Sequence, residues 1–419
     1  MLKLFLILTV SLLFGLRTTA QTDIIPYALN TTKENRIKEY RNLINNSINK
    51  NLSLSLTDST EENWQDAFWV MELINYKSPY TDAHIRLALD SITKRSIIFQ
   101  RALIELIYTN YSKEFIPQIV SFLKQTNNPK IFAMCAEYLL MNNELEVYKN
   151  MLLKRMDEIT INFKEVSDNP FFKILKNKLI IKNYTLPPIE DLLNKKFLYA
   201  ETVIFSFQRK NRNYPGLAMV RGKNGEFVKT ESGNYFSVPQ LARSITNMPG
   251  YLTNGNTPQG IFKMTGFDVS KSNFIGPTSN IQLVMPYENS LEITDSTKQK
   301  LGDNYTDLLP VSWRKYIPFY ETYVAGKAGR TEIIAHGTTV NPAYYQKEIY
   351  YPLTPTQGCL CTKEIWSPTD GKRIESDQQK LVDVIKIAGG ANGYCVVIEI
   401  DDKQQRVSIE DILPFLNKK

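Results

Sequence analysis

The sequence predicts an α+β protein with two main domains: an N-terminal α-helical, repeat-like (solenoid) domain at 21–182 and a mostly β domain at 198–405. Three observations lead to this prediction. A chain of 419 residues is longer than one ordinary domain. Up to about residue 180, apolar residues recur at helical spacing. Beyond residue 198, β-branched and aromatic runs alternate with Gly, Pro and Asn clusters, the pattern of strands and turns.

The first 20 residues have the pattern of a secretory signal peptide. Lys3 precedes an apolar run from Leu4 to Leu16, and the small residues Thr18 and Ala20 follow it. An uncleaved anchor is the alternative, although the run is short for a membrane span. We therefore expect an exported protein with no membrane-spanning segment after residue 20, and no lipid anchor, because no cysteine follows the apolar run.

Composition excludes several classes of protein. The net charge is +7, of which Lys3 and Arg17 of the signal segment supply two, and no Lys/Arg block stands out, so nucleic acid is not an expected partner. Four cysteines in a chain of this length cannot form a disulfide scaffold, and no CxxC pair is present to suggest structural zinc. We expect no metal and no organic cofactor. The only histidines are His84 and His336, so any imidazole chemistry must use one of them.

The helical domain is predicted from a series of amphipathic segments separated by turn residues. Successive pairs of segments advance by roughly 33 to 36 residues, a period typical of helical repeats. Two interpretations remain open for this array, a concave surface that binds a protein partner and a helical spacer. The predicted segments are Glu61–Lys77, Asp82–Lys94, Ile97–Tyr111, Glu114–Lys124, Lys130–Asn142 and Glu144–Met156.

The β domain follows a linker at 183–197 that contains Pro187-Pro188 and a short polar helix. One amphipathic helix, Ser376–Ile387, interrupts the strand pattern, and a C-terminal tail at 406–419 follows it. The clearest predicted strands are Thr202–Phe207, Gly216–Val220, Asn280–Met285 and Tyr394–Ile400.

Two residues of the β domain could carry nucleophilic chemistry. His336 lies where the apolar segment Thr331–Thr338 reaches a glycine turn, and Cys359 lies at a second glycine turn within Pro355–Cys361. A nearby imidazole can hold a cysteine as a thiolate, and converging backbone N–H groups can bind an oxyanion. Because His84 falls in the helical half, a Cys-His pair in the β domain must use His336.

These residues resemble the L,D-transpeptidase family, the YkuD-type catalytic domain. The family's His-Gly strand end is matched by His336-Gly337, and its Ser/Thr-x-Gly-Cys motif by Thr356-Gln357-Gly358-Cys359. Its Thr-Pro-x-Gly-x-Phe element is matched by Thr257–Phe262, and Tyr394–Ile398 is similar to its final strand. The resemblance covers the β domain, about half of the chain, and does not extend to the helical half.

The resemblance implies a chemistry and a set of roles. Cys359 would be the nucleophile that attacks a peptidoglycan stem peptide and forms a thioester, and His336 would be the general base. The Gly337 carbonyl would orient the imidazole, and Thr356 would shape the turn. The Gly358 and Cys359 N–H groups, with Gln357 nearby, would face the oxyanion. Such an enzyme would act in the periplasm or cell envelope, in cell-wall cross-linking or remodelling and thereby in cell shape.

The chain departs from the family pattern at two positions. Gln357 stands where the family usually has a second histidine, and because an amide cannot carry a proton we expect it to position substrate only. Cys361 stands where the family prefers Arg or Asn, which leaves the acceptor undefined. One hypothesis pairs Cys361 with Cys395 in a disulfide that leaves Cys359 free. Cys135, in a helical stripe, is interpreted as a core residue.

The loop between the histidine and the nucleophile is rich in tyrosine. Tyr344, Tyr345 and Tyr350 have two interpretations, as the lining of a peptide groove or as anchors that pack the loop onto the sheet.

Three functions stay open at this stage: transfer of the acyl-enzyme to an amine, its hydrolysis as in a carboxypeptidase or endopeptidase, and a non-catalytic envelope scaffold in which the helical array is the working part.

Overall fold

The computed structural model describes residues 26–141, 145–180, 184–288, 301 and 304–416. The predicted signal peptide at 1–20 lies outside these residues. The first half is α-helical, and α1 continues as a π-helix, Leu43–Lys50. The helices are α1 Lys33–Asn42, α2 Glu61–Leu73, α3 Pro79–Asp90, α4 Ile97–Asn110, α5 Ile116–Leu123, α6 Pro129–Leu140, α7 Leu145–Asn162, α8 Pro170–Ile180 and α9 Ile189–Leu193.

Several of these helices begin at polar caps that the sequence supplies. Ser78 and Thr81 form a capping box at the start of α3, and Asn128 accepts from the N–H groups of the first turn of α6. The predicted segment Asp82–Lys94 begins three residues later than α3 does. In the structure Pro79 is the first residue of α3, because a proline at that position gives up no intrahelical hydrogen bond.

The helices share one apolar core. Helices α2, α4, α6 and α8 pack side by side in sequence, each against the next. Their buried faces carry large side chains such as Trp64, Phe99 and Phe132, and Cys135 lies fully buried among them. No helix in the part of the chain that the structure describes is both long and apolar enough to cross a membrane.

The second half is mostly β and is built on a closed eight-stranded barrel in the order β1-β10-β4-β5-β6-β7-β3-β2, with β8 and β9 as a separate hairpin. The pairs β1–β10 and β6–β7 are parallel, and the other barrel pairs are antiparallel. The strands are β1 Val203–Arg209, β2 Gly216–Arg221, β3 Ser237–Leu241, β4 Gly260–Asp268, β5 Asn280–Val284, β6 Ile334–His336, β7 Leu360–Thr362, β8 Glu364–Trp366, β9 Arg373–Ser376 and β10 Tyr394–Asp401.

Both faces of the central strands are covered, which explains why every residue of β1 is buried. Helix α12 (Asp377–Ala388) packs against β2, β3 and β5, and its apolar residues join Ile204 of β1 in one core. The opposite face carries Phe205 and Phe207 and packs against Trp313. The α-helices of this half are α10 Tyr305–Leu308, α11 Glu321–Lys327, α12 Asp377–Ala388 and α13 Ile409–Leu416.

The predicted linker and C-terminal tail both pack onto this outer core. Ile189 and Leu192 of α9 are buried there, and the Trp313 indole donates to the Pro188 carbonyl at 2.9 Å. From α13, Asp411 pairs with the buried Arg209 at 2.6 Å. The described parts of 183–197 and 406–419 therefore belong to the barrel's outer layer, which their short apolar runs did not indicate.

A segment of the barrel half also packs into the helical core. Within the loop 242–259, the side chains of Ile245, Met248, Tyr251 and Leu252 are buried with the helices. The Tyr251 hydroxyl donates to Glu137 of α6 at 2.8 Å. The two halves thus share part of one core at this loop.

Candidate active site

Three segments that are far apart in sequence meet at the paired strands β6 and β7. The parallel pairing of β6 with β7 sets His336 opposite Cys361. Cys359, two residues earlier, therefore lies beside Ile334 on the face of the sheet that carries His336. The third segment arrives through Thr257, whose hydroxyl donates to the Gly358 carbonyl at 2.9 Å.

The orientation of His336 is set by its neighbour. Its Nδ1 donates to the Gly337 carbonyl, and because a carbonyl can only accept, Nε2 is the basic nitrogen of the neutral ring. Glycine is required next to it: a Cβ on Gly337 would lie 2.2 Å from the Glu364 carboxyl carbon. The buried Glu364 in turn accepts from Thr278 at 2.5 Å and Ser376 at 2.6 Å, which fixes it in that space.

Burial favours the neutral form of His336. The ring is 4% exposed, and desolvation lowers its pKa to about 4, although the bond to the Gly337 carbonyl opposes this shift. This shift favours a neutral His336 imidazole at pH 7. The backbone around it is held by the buried Gln378 amide, which donates to the Ala335 carbonyl at 3.0 Å.

The turn before Cys359 is organised by Thr356. The Thr356 hydroxyl accepts from the Gly358 N–H at 3.0 Å and donates to the Cys359 carbonyl at 2.9 Å. Gly358 has φ +117°, a conformation that other residues rarely adopt. Because the Gly358 N–H is already bonded, the expectation that it faces an oxyanion is not met, and the Cys359 N–H is the donor that remains for that role. Gln357 is exposed.

The Cys359 thiol is half-buried and lies against the backbone before and within β6. Its sulfur accepts from the Ile334 N–H at 3.5 Å and lies 3.7 Å from the Glu332 carbonyl. Desolvation raises the pKa of the thiol to about 11, opposed by the Ile334 N–H and by the Arg330 charge. Burial thus disfavours both the Cys359 thiolate and the His336 imidazolium, and the sequence-based expectation of a thiolate at Cys359 stays a prediction.

No hydrogen bond joins the Cys359 sulfur to the His336 ring within the described residues. The two residues lie on the same face of the sheet, with Cys359 level with Ile334, two positions before His336. Catalytic hydrogen bonds often tighten only when substrate binds.

The segment Thr257–Phe262 is backed by buried polar groups. The Gln259 N–H donates to Glu321 at 3.0 Å, and its side-chain amide donates to Glu399 at 3.0 Å. Arg212 pairs with Glu399 at 2.9 Å. Burial and, to a smaller extent, the neighbouring Glu399 together raise the pKa of Glu321 to about 7. These contacts hold in place the segment whose Thr257 hydroxyl donates to the Gly358 carbonyl.

The three tyrosines of the long loop occupy packing positions. Tyr345 and Tyr350 are 4% and 2% exposed and form a small core with Leu353. The Tyr345 hydroxyl donates to the Leu73 carbonyl of the helical half at 2.7 Å, and Tyr344 packs against Tyr40. Of the two interpretations of this loop, the structure supports anchoring.

The hypothesis of a Cys361–Cys395 disulfide is wrong. Both thiols are free and fully buried. Cys361 lies on β7 and Cys395 on β10, and three strands separate them around the barrel in either direction. Such a separation far exceeds the reach of a disulfide.

Arg330 is a residue of the site that the sequence did not single out. It precedes β6, is 4% exposed, and its guanidinium lies against Gly358. Nothing local marked it, because its partners come from 250–256 and 358, both distant in sequence.

Among the described residues, no group of His, Cys, Asp and Glu side chains is arranged to hold a metal ion. The chain was compared with protein-family models, with curated proteins and with solved structures, and none of the three comparisons gives a match.

Proposed function

We propose that this chain is an exported cysteine L,D-transpeptidase that acts on peptidoglycan stem peptides, with its β half as a YkuD-type catalytic domain and its helical half as a solenoid. One observation carries the proposal: the segments around Thr257, His336 and Cys359, which resemble the family's three motifs, are brought together by the β6–β7 pairing and by the Thr257–Gly358 hydrogen bond.

The proposed reaction begins from the neutral pair. On substrate binding, the Cys359 thiol rotates toward His336 and gives its proton to Nε2 as the sulfur attacks the carbonyl of an L-to-D linkage. The negative charge that develops on the carbonyl oxygen faces the Cys359 N–H. Cleavage of the C–N bond then leaves a thioester, and the departing D-residue takes the proton from His336 as its amine forms.

The second half of the reaction reverses the roles. An acceptor amine attacks the thioester while His336 takes its proton, a new amide bond forms, and the proton returns to the sulfur. If water replaces the amine, the same groups yield a carboxylic acid, so the residues at the site serve a carboxypeptidase or endopeptidase equally well.

The test is incubation of purified protein with disaccharide-tetrapeptide muropeptides, followed by identification of the products by mass. Dimers are expected from the wild type, and none from Cys359→Ala or His336→Ala. Stems shortened by one residue would indicate hydrolysis instead. Unchanged muropeptides would overturn the proposal and favour an envelope scaffold, which the two motif departures at Gln357 and Cys361 otherwise support.

A further inference from the structure

A buried guanidinium lies directly beneath the nucleophile turn. Arg330 donates through Nη1 to the carbonyls of Gly250 and, at 2.9 Å, Asn256, and through Nη2 to the carbonyl of Gly255 at 2.6 Å. A Cβ built on Gly358 would lie only 2.0 Å from Nη2. The planar fork of arginine, held by three carbonyls, therefore occupies a fixed position against the residue that precedes Cys359.

The charge of Arg330 is not neutralised by a direct ion pair. Within the described residues no carboxylate lies within 4 Å of it, and the partners of its donors are neutral carbonyls. The nearest influence of opposite sign is Glu321, which attracts it from a greater distance. A buried charge without a counter-ion is costly to a folded protein, so a role beyond packing is expected of it.

The anion that this charge can meet is one that forms during the reaction. Cys359 is the residue after Gly358, and its thiol is neutral in the free enzyme. When the sulfur loses its proton, a negative charge appears next to the fixed guanidinium. Two other groups near the sulfur also act on this anion. The Glu332 side chain disfavours it, and the Ile334 N–H favours it.

We propose that Arg330 is a positioning residue of the active site: it holds the Gly358 turn through its shape and stabilises the Cys359 thiolate through its charge. The inference rests on the proposed function only in taking Cys359 as the nucleophile. A simpler role is a staple between the loop 250–256 and the turn, in which shape matters and charge does not. Charge and shape are separated by two substitutions.

Arg330→Gln removes the charge, and Arg330→Lys keeps it while losing the planar fork. The measurement is the rate at which iodoacetamide alkylates Cys359 at pH 8.5, followed by peptide mass mapping so that the three buried cysteines do not contribute. A neighbouring charge shifts a pKa by about one unit or more, so Arg330→Gln is expected to slow alkylation about tenfold. Arg330→Lys is expected to stay within about threefold of the wild type.

Equal slowing in both variants, or slowing in neither, would overturn the electrostatic role. If either variant fails to fold, Glu321→Gln provides a second test, in which the positive charge of Arg330 is less offset than in the wild type. Because Glu321 partly offsets the Arg330 charge, its neutralisation is expected to speed alkylation about twofold at pH 8.5, where its carboxyl is ionised. An unchanged or slower rate in that variant would contradict the inference.

The outcome is separable from that of the proposed function. Slower alkylation in Arg330→Gln with no muropeptide product from the wild type would leave the thiolate role standing and remove the transpeptidase. Muropeptide dimers from the wild type with no effect of the Arg330 charge would do the reverse.

Discussion

The hydrogen bond between Tyr251 and Glu137 joins the helical half to the barrel, and its removal tests whether the two halves depend on each other. The hydroxyl donates to the carboxylate at 2.8 Å, and both residues are 2% exposed. Tyr251→Phe leaves the ring in place and removes only this donor. A buried hydrogen bond to a charged group contributes about 1.5–3 kcal/mol, and Lys178 still pairs with the carboxylate. We expect a loss in that range.

The assay is urea unfolding followed by circular dichroism, with Tyr80→Phe as the matched control. The Tyr80 hydroxyl also donates to a carbonyl, but the side chain is 40% exposed and the bond is 3.3 Å long. The control should lose less than about 0.5 kcal/mol. If Tyr251→Phe loses no more than the control, the shared core does not hold the halves together through this bond.

The same substitution tests a connection to the active site. Tyr251 follows Gly250, whose carbonyl accepts from Arg330, so a loosened loop should disturb the guanidinium beneath Gly358. We expect Tyr251→Phe to slow alkylation of Cys359 in native conditions, and Tyr80→Phe to leave the rate unchanged. A wild-type rate in Tyr251→Phe would mean that Arg330 is held by the barrel alone.

Three further outcomes are expected. Gly358→Ala should lower the free energy of unfolding by about 2 kcal/mol or more in chemical denaturation. The control Gly233→Ala, at φ +83° with open space around it, should lower it by only the conformational strain of about 1 kcal/mol. Equal losses would refute the close contact of Gly358 with Arg330. The raised pKa of Glu321 means that the native state keeps a proton that the unfolded chain releases, so stability falls as pH rises from about 4.5 to 7. Glu321→Gln should therefore raise the melting temperature at pH 8 and not at pH 5, by the equivalent of about 1 kcal/mol, and an equal shift at both pH values would contradict it. Gln357→Ala should keep most muropeptide turnover while His336→Ala abolishes it; a Gln357 variant as inactive as the His336 variant would show that the exposed amide does more than position substrate.

The pattern of apolar residues along the sequence predicted those helices and strands whose apolar residues are buried with a regular period. The predicted strand Tyr394–Ile400 is Tyr394–Asp401 in the structure, and the predicted helix Ser376–Ile387 is Asp377–Ala388. In both, the buried residues recur regularly along the element, and a residue that ends the element follows, such as Gly389 at φ +123° after the helix. The predicted segment Asp82–Lys94 misses the first turn of α3, because a proline stops a helix in its interior but is favoured at its first position.

Contacts between distant segments were outside the reach of such patterns. The sequence contains no local sign that Tyr251 packs among helices, or that Ile189 in the supposed linker belongs to the barrel's outer core. Both segments are short and follow prolines or polar residues, so their apolar side chains carry no periodicity. Burial of this kind is decided by the surface that another part of the chain presents.

Cys361 and Gln357, the two departures from the family motifs, lie in different surroundings. Cys361 is fully buried opposite His336, with the Thr354 hydroxyl 3.9 Å and the Thr362 carbonyl 3.6 Å from its sulfur, so this position presents no charged side chain to a substrate. Gln357 is exposed and cannot carry a proton. A cation nevertheless reaches the nucleophile turn, from Arg330 in a different segment. In the proposed mechanism the site therefore keeps one base, His336, and one positive charge, Arg330, and both act only when substrate has displaced water and the Cys359 proton moves.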